Sequence, residues 1–162
     1  MQLPFDINEL TESLGGHMCT VFDEETYSTR LVHGIDVGGR IFAVCVATLK
    51  SNVTMEHLET ILASVRQFLV MADARGYLVL DISGADSISL GQLKHTAKTF
   101  AECRPLIENK LVGTMIVADG TQAMIGRLFS SLYTPVRPIA WWLSGGDAVA
   151  FVREQEAKNR CV

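Results

Sequence analysis

The chain has 162 residues, 48% hydrophobic and 20% charged, with a formal net charge of −4. That length and balance suit one globular domain with a real core, and they exclude a disordered chain. No dense Lys/Arg stripe is present, so nucleic acid is not an expected partner.

The four cysteines, Cys19, Cys45, Cys103 and Cys161, form no CxxC pair and stand at no zinc-finger spacing from a histidine. Free thiols are expected, with Cys45 buried in the apolar run Ile41 to Leu49. The N-terminal MQLPFDINEL lacks a basic region followed by an apolar stretch, so no signal or transit peptide is read there. No apolar run approaches the ~20 residues of a membrane helix. A soluble, cytoplasmic protein is the expectation.

Residues 1–27 read as an N-terminal extension interrupted by Pro4 and Gly15-Gly16. A short helix is allowed over Ile7 to Leu14, and an edge strand over Met18 to Phe22. Thr29 to Val37 and Ile41 to Leu49 read as a hairpin, joined at Gly38-Gly39 where positive φ is cheap. Thr54 is a plausible N-cap. Met55, Leu58, Ile61, Leu62, Val65, Phe68 and Leu69 then recur at helical spacing, with Gly76 as the stop.

Tyr77 to Ile82 reads as a central strand buried on both faces. A small polar loop, Ser83 to Ser89, leads to a second helix marked by Leu90, Leu93, Ala97, Phe100 and Ala101 and closed before Pro105. Leu111 to Ala118 is a strand. Met124, Ile125, Leu128, Phe129 and Leu132 are expected on the inner face of a third helix. Ile139 to Leu143 is a last strand, and Ser144 with Asp147 resembles a capping box for a final helix. The charged stretch from Arg153 is expected to fray.

Alternating strands and helices after a hairpin predict an α/β domain. Its single sheet is mixed and mostly parallel, flanked by about four helices.

The stretch Leu78 to Leu93, reading LVLDISGAD and onward, resembles the STAS domain shared by sulfate transporters and anti-sigma-factor antagonists. The match lies in the strand, its Asp-x-Ser-Gly turn and the loop into a helix. Pro138 to Val152 is similar to the last strand and helix of STAS-like proteins. The resemblance covers about residues 28–156 in element order, leaving 157–162 as a tail. It implies a STAS-like fold and a non-enzymatic regulatory role through binding a partner protein. One departure matters. The antagonists are switched by phosphorylation of a serine at the start of the second helix, and Leu90 stands at that position here. Ser87 and Ser89 are the neighbouring hydroxyls that a kinase could use instead, given a shifted loop.

The partner-facing surface implied by this match is Ser83, Gly84, Asp86, Ser87 and Ser89, with Lys94, His95 and Lys98 on the exposed face of the following helix. The partner would be a kinase, a regulator or an assembly subunit, and a homodimer is allowed. No cofactor or metal is called for.

Other chemistry finds little support. Loops Ser83 to Ser89, Asp119 to Thr121 and Ser144 to Asp147 lie at strand carboxyl ends, where an anion or nucleotide would sit in an open α/β sheet. Helix capping explains their small polar residues as well, and no phosphate-loop motif occurs. Asp81 and Asp86 are candidates for a carboxylate pair, with a turn role favoured for Asp86. His17, His33, His57 and His95 read as independent histidines, with His57 and His95 on solvent faces. Ser130 and Ser131 lack a nucleophile-elbow context. Trp141 and Trp142 should point to opposite faces of their strand. A small-ligand or nucleotide-binding domain and a structural subunit of a larger assembly remain as alternative readings.

Overall fold

A computed structural model describes residues 11–12, 14–71, 75–119, 122–142 and 146–160. Six strands form one sheet in the order β1-β2-β3-β4-β5-β6. They are β1 (His17–Asp23), β2 (Tyr27–Val37), β3 (Arg40–Leu49), β4 (Gly76–Asp81), β5 (Leu111–Val117) and β6 (Ile139–Trp142). Among the described residues, five helices of seven or more residues accompany them: α1 (Met55–Met71), α2 (Leu90–Glu102), α3 (Arg104–Lys110), α4 (Ala123–Leu132) and α5 (Gly146–Arg160).

The sheet is mixed, and only partly parallel. β1–β2 and β2–β3 are antiparallel, whereas β3–β4, β4–β5 and β5–β6 are parallel. The expected mostly parallel sheet is therefore corrected. His17–Asp23 forms a full antiparallel edge strand, so two of the five pairings run the other way.

The Gly38-Gly39 hairpin forms as expected. Both glycines have positive φ, 63° and 86°, between paired Val37 and Arg40. That is the backbone of a two-residue turn whose twist matches the flanking strands.

Strands β3 to β6 are consecutive in space, and each crossover carries its helices onto the same face, as a constant crossover hand requires. Leu78 of β4 thus packs with Leu62 of α1, Phe100 of α2, Ile107 of α3 and Phe129 of α4. The alternate residues Tyr77 and Val79 face the other way, onto Ala148 and Val152 of α5. Leu14 joins this second core, beside Val32 and Ile35.

Five particulars differ from the sequence expectations. Gly76 opens β4 instead of closing α1, because a Cβ there would lie 2.6 Å from Phe68 and 2.9 Å from the Ala43 carbonyl. α2 closes at Glu102, before Pro105 as expected, but a further short helix, α3, follows at once, and Pro105 lies in it. The proline enters the first turn of α3, where its missing N–H breaks no helical bond. This helix is one more than the four expected after the hairpin. α5 does not fray at Arg153 but continues to Arg160, held by a buried contact between Tyr77 and Glu156.

On α4, Ile125 is half-buried and Phe129 buried, but Met124, Leu128 and Leu132 are exposed. Gly126 lets the Trp141 ring approach closely, since a Cβ there would lie 2.9 Å from it. The helix therefore turns the face Gln122, Gly126, Phe129 and Tyr133 inward. Finally, His57 and His95 are half-buried rather than on open solvent faces. His57 packs against the Tyr27 ring at 5.3 Å.

Cys45 and Cys103 are buried and Cys19 exposed, all three as free thiols. Burial pushes the Cys45 thiol up to about 12. The expected helix over Ile7 to Leu14 lies outside the described residues, apart from helical Thr11, Glu12 and Leu14. Gly120, Thr121, Ser144 and Cys161 also lie outside them, as does the Asp147 side chain.

Candidate functional site

Strand β4 delivers the chain into the polar loop at its carboxyl end. Asp81 is the last strand residue, and it is buried. Its Oδ1 accepts hydrogen bonds from the Ser83 N–H at 3.1 Å and from the Ser83 hydroxyl at 2.6 Å. Burial raises the Asp81 carboxyl above the ordinary carboxylate range, and the two bonds from Ser83 oppose that rise. Asp81 and Asp86 do not form a carboxylate pair: Asp81 turns inward onto Ser83, while Asp86 is exposed and its N–H is tied to Asn52.

Beyond Asp81 the backbone turns sharply. The Ala85 N–H reaches back to the Ile82 carbonyl at 3.1 Å. Gly84 lies against the end of β3, and a Cβ there would stand 2.3 Å from the Leu49 carbonyl oxygen and 2.8 Å from that of Lys50. Only glycine permits this approach without moving backbone.

Three side-chain amides, each from a different connection, then hold the loop. Asn52 Oδ1, before α1, accepts from the N–H groups of Asp86 and Ser87 at 2.8 and 3.1 Å. Gln122, before α4, is buried, and its Nε2 donates to the carbonyls of Ile82 and Ala85 at 2.8 and 2.6 Å. Its Oε1 accepts from the Asp119 N–H at 3.0 Å. Gln92 of α2 forms a capping box with Ser89: the Ser89 hydroxyl accepts from the Gln92 N–H, and Gln92 Oε1 accepts from the Ser89 N–H. Gln92 Nε2 also donates to the Val53 carbonyl at 2.8 Å.

The outer surface is left open. Ser83, Gly84, Asp86, Ser87 and Ser89 are all exposed, as are Lys94 and Lys98. His95 is half-buried and sits one helical step around from Lys94. Leu90, Lys94 and Lys98 follow at intervals of four, which places them on one stripe of α2. Leu90 is 50% exposed, an apolar side chain at the head of a polar and basic surface. The Ser89 hydroxyl is engaged as the helix cap, whereas Ser87 contributes only its backbone N–H to the loop.

The sequence reading did not identify the anchoring amides or the exposed apolar positions. Ser89-x-x-Gln92 has the spacing of a capping box and was a legible signal. Asn52 and Gln122 carried none, because their partners are 34 and 37 residues away. The exposed stripe Met124, Leu128 and Leu132 on α4 was also missed, since those residues fit an inward face equally well.

Beneath the loop, α1, α2, α4 and the strand ends enclose an apolar space of about 90 Å³, bordered by Ile82, Ile88, Leu93 and Trp141. Among the described residues, no group of three or more His, Cys, Asp or Glu side chains is placed to hold a metal ion. No described helix is long and apolar enough to cross a membrane. No known family and no curated protein matches this chain.

Proposed function

We propose that the chain is a non-enzymatic, cytoplasmic regulatory domain of the STAS-like type that binds a partner protein. It uses the loop 83–89 and the Leu90, Lys94 and Lys98 stripe of α2. The observation that carries this reading is the way the loop is held. Asn52, Gln92 and Gln122 satisfy its backbone from below while its outer face stays exposed. A surface ordered in advance loses little conformational freedom on binding, so more of the contact energy appears as affinity. Leu90 supplies an apolar anchor, and the two lysines favour a partner with an apolar pocket beside acidic groups.

A small-ligand site at the strand carboxyl ends has less support. Such sites form where the strand order reverses and neighbouring crossovers leave a crevice. Here the order runs β3-β4-β5-β6 without reversal.

The test is purification of the tagged chain from its native cells, with bound proteins and phosphorylation at Ser83, Ser87 and Ser89 scored by mass spectrometry. A stoichiometric partner retained by the parent and lost from Leu90→Asp and from the Lys94→Glu/Lys98→Glu pair supports the reading. Partner contacts that survive both variants refute it.

A further inference from the structure

Among the described residues, one part of the sheet has no second helix over it. β1, β2 and β3 join by antiparallel hairpin connections, which bring no helix, while α1, the crossover from β3 to β4, packs along β2 and β3. The helical face over β1 to β3 is consequently a groove walled on one side by α1. It has a volume of about 780 Å³, within the range of about 300–1,000 Å³ typical of small-molecule sites. Leu31, Ala43 and Cys45 form its floor, with Phe22 at the strand edge and Phe68 and Met71 on α1.

None of the groove's lining residues is Lys, Arg, Asp or Glu. Cys45 carries no charge at neutral pH, because burial holds its thiol up near about 12. The polar groups of α1 are occupied: Thr60 and Ser64 donate to the carbonyls of Glu56 and Thr60, and Gln67 to the sulfur of Met71. Thr29 differs. Its residue is only 1% exposed, it lines the groove, and its Oγ1 has no hydrogen-bond partner among the described residues. A buried hydroxyl left unsatisfied is costly, and its position marks where a ligand's polar atom would be rewarded.

We propose that this groove binds a neutral amphiphile, an extended aliphatic or isoprenoid chain bearing one hydroxyl or carbonyl group that hydrogen-bonds Thr29 Oγ1. The apolar walls bury the chain. No Lys or Arg lines the groove, and His33 stands exposed at its rim, so a carboxylate headgroup buried beside Thr29 would lose its hydration uncompensated. This site lies on the β1–β3 half of the sheet and is independent of the loop 83–89.

The test titrates octan-1-ol and octanoate into the full chain, followed by amide NMR. Two variants accompany the parent: Thr29→Val, which keeps the shape and removes the hydroxyl, and Ala63→Trp, which fills the groove from an exposed position on α1. Octan-1-ol should shift the resonances of Leu31, Ala43 and Cys45 saturably, and octanoate should bind at least about tenfold more weakly. Thr29→Val should weaken octan-1-ol by about fivefold, and Ala63→Trp should abolish its binding. Absence of saturable shifts overturns the proposal. So does equal binding of octanoate, or octan-1-ol affinity unchanged by both variants. Sedimentation of the parent as a dimer with these resonances protected would assign the groove to a second copy and overturn it as well.

Discussion

Tyr77 and Glu156 lie 79 positions apart and meet in a buried hydrogen bond of 2.7 Å, with the Tyr77 hydroxyl donating to Glu156 Oε1. The bond ties the centre of the sheet to α5, and Phe42 and Phe151 pack edge-on against the same tyrosine ring. Burial and the neighbouring Glu156 push the Tyr77 phenol well above its ordinary value, so it remains a donor at any ordinary pH. Tyr77→Phe should cost about 1–3 kcal/mol, because it leaves a buried carboxyl without its donor. Tyr77→Phe with Glu156→Leu should recover most of that loss, since removing both partners leaves nothing unsatisfied. Urea unfolding of the two variants and the parent measures both effects. A double variant no more stable than the single one would show that the cost of Tyr77→Phe does not come from an unsatisfied Glu156.

Gln122 should decide whether the loop 83–89 stays in place. In Gln122→Glu the carboxylate can still accept from the Asp119 N–H, but the carbonyls of Ile82 and Ala85 lose their donor. The expected cost is about 1–3 kcal/mol, with faster amide exchange at Ala85, Asp86 and Ser87. Hydrogen exchange and chemical denaturation report the two quantities separately. Unaltered exchange in the loop would mean that Asn52 and the Ser89–Gln92 box suffice without Gln122.

Asp81 links loop geometry to pH. Its folded-state pKa is raised above the ordinary value of 3.8, chiefly by burial. The folded chain therefore keeps this proton longer than the unfolded chain does. This group's contribution to stability falls as pH climbs from about 3.8 through the folded value, and above that the loss is complete. Asp81→Asn retains an oxygen to accept from Ser83 and removes the ionisation. Its stability relative to the parent should improve between about pH 3 and about pH 7. A stability difference that is the same at both pH values would contradict burial as the dominant influence on Asp81.

Local chemistry was enough to read much of this architecture from the sequence. Gly38-Gly39 forces the hairpin turn, because both residues take positive φ. The spacing of Leu58, Ile61, Leu62, Val65, Phe68 and Leu69 announces α1, and all six are buried. Tyr77 to Leu80, apolar without alternation, announces a strand covered on both faces. These signals depend on a few adjacent residues and on the periods 2 and 3.6.

What the tertiary structure alone decided depends on residues distant in sequence. The inward face of α4 was set by the fit of Gly126 to Trp141, which no periodicity encodes. The persistence of α5 past Arg153 is tied to Tyr77 through Glu156, the anchoring of the loop to Asn52 and Gln122, and the place of Gly76 to Phe68 and the Ala43 carbonyl. The groove over β1 to β3 lies beside α1, where among the described residues no second helix covers the hairpin strands. Periodicity tells which residues an element buries. Only the packed sheet determines which elements are there to bury them.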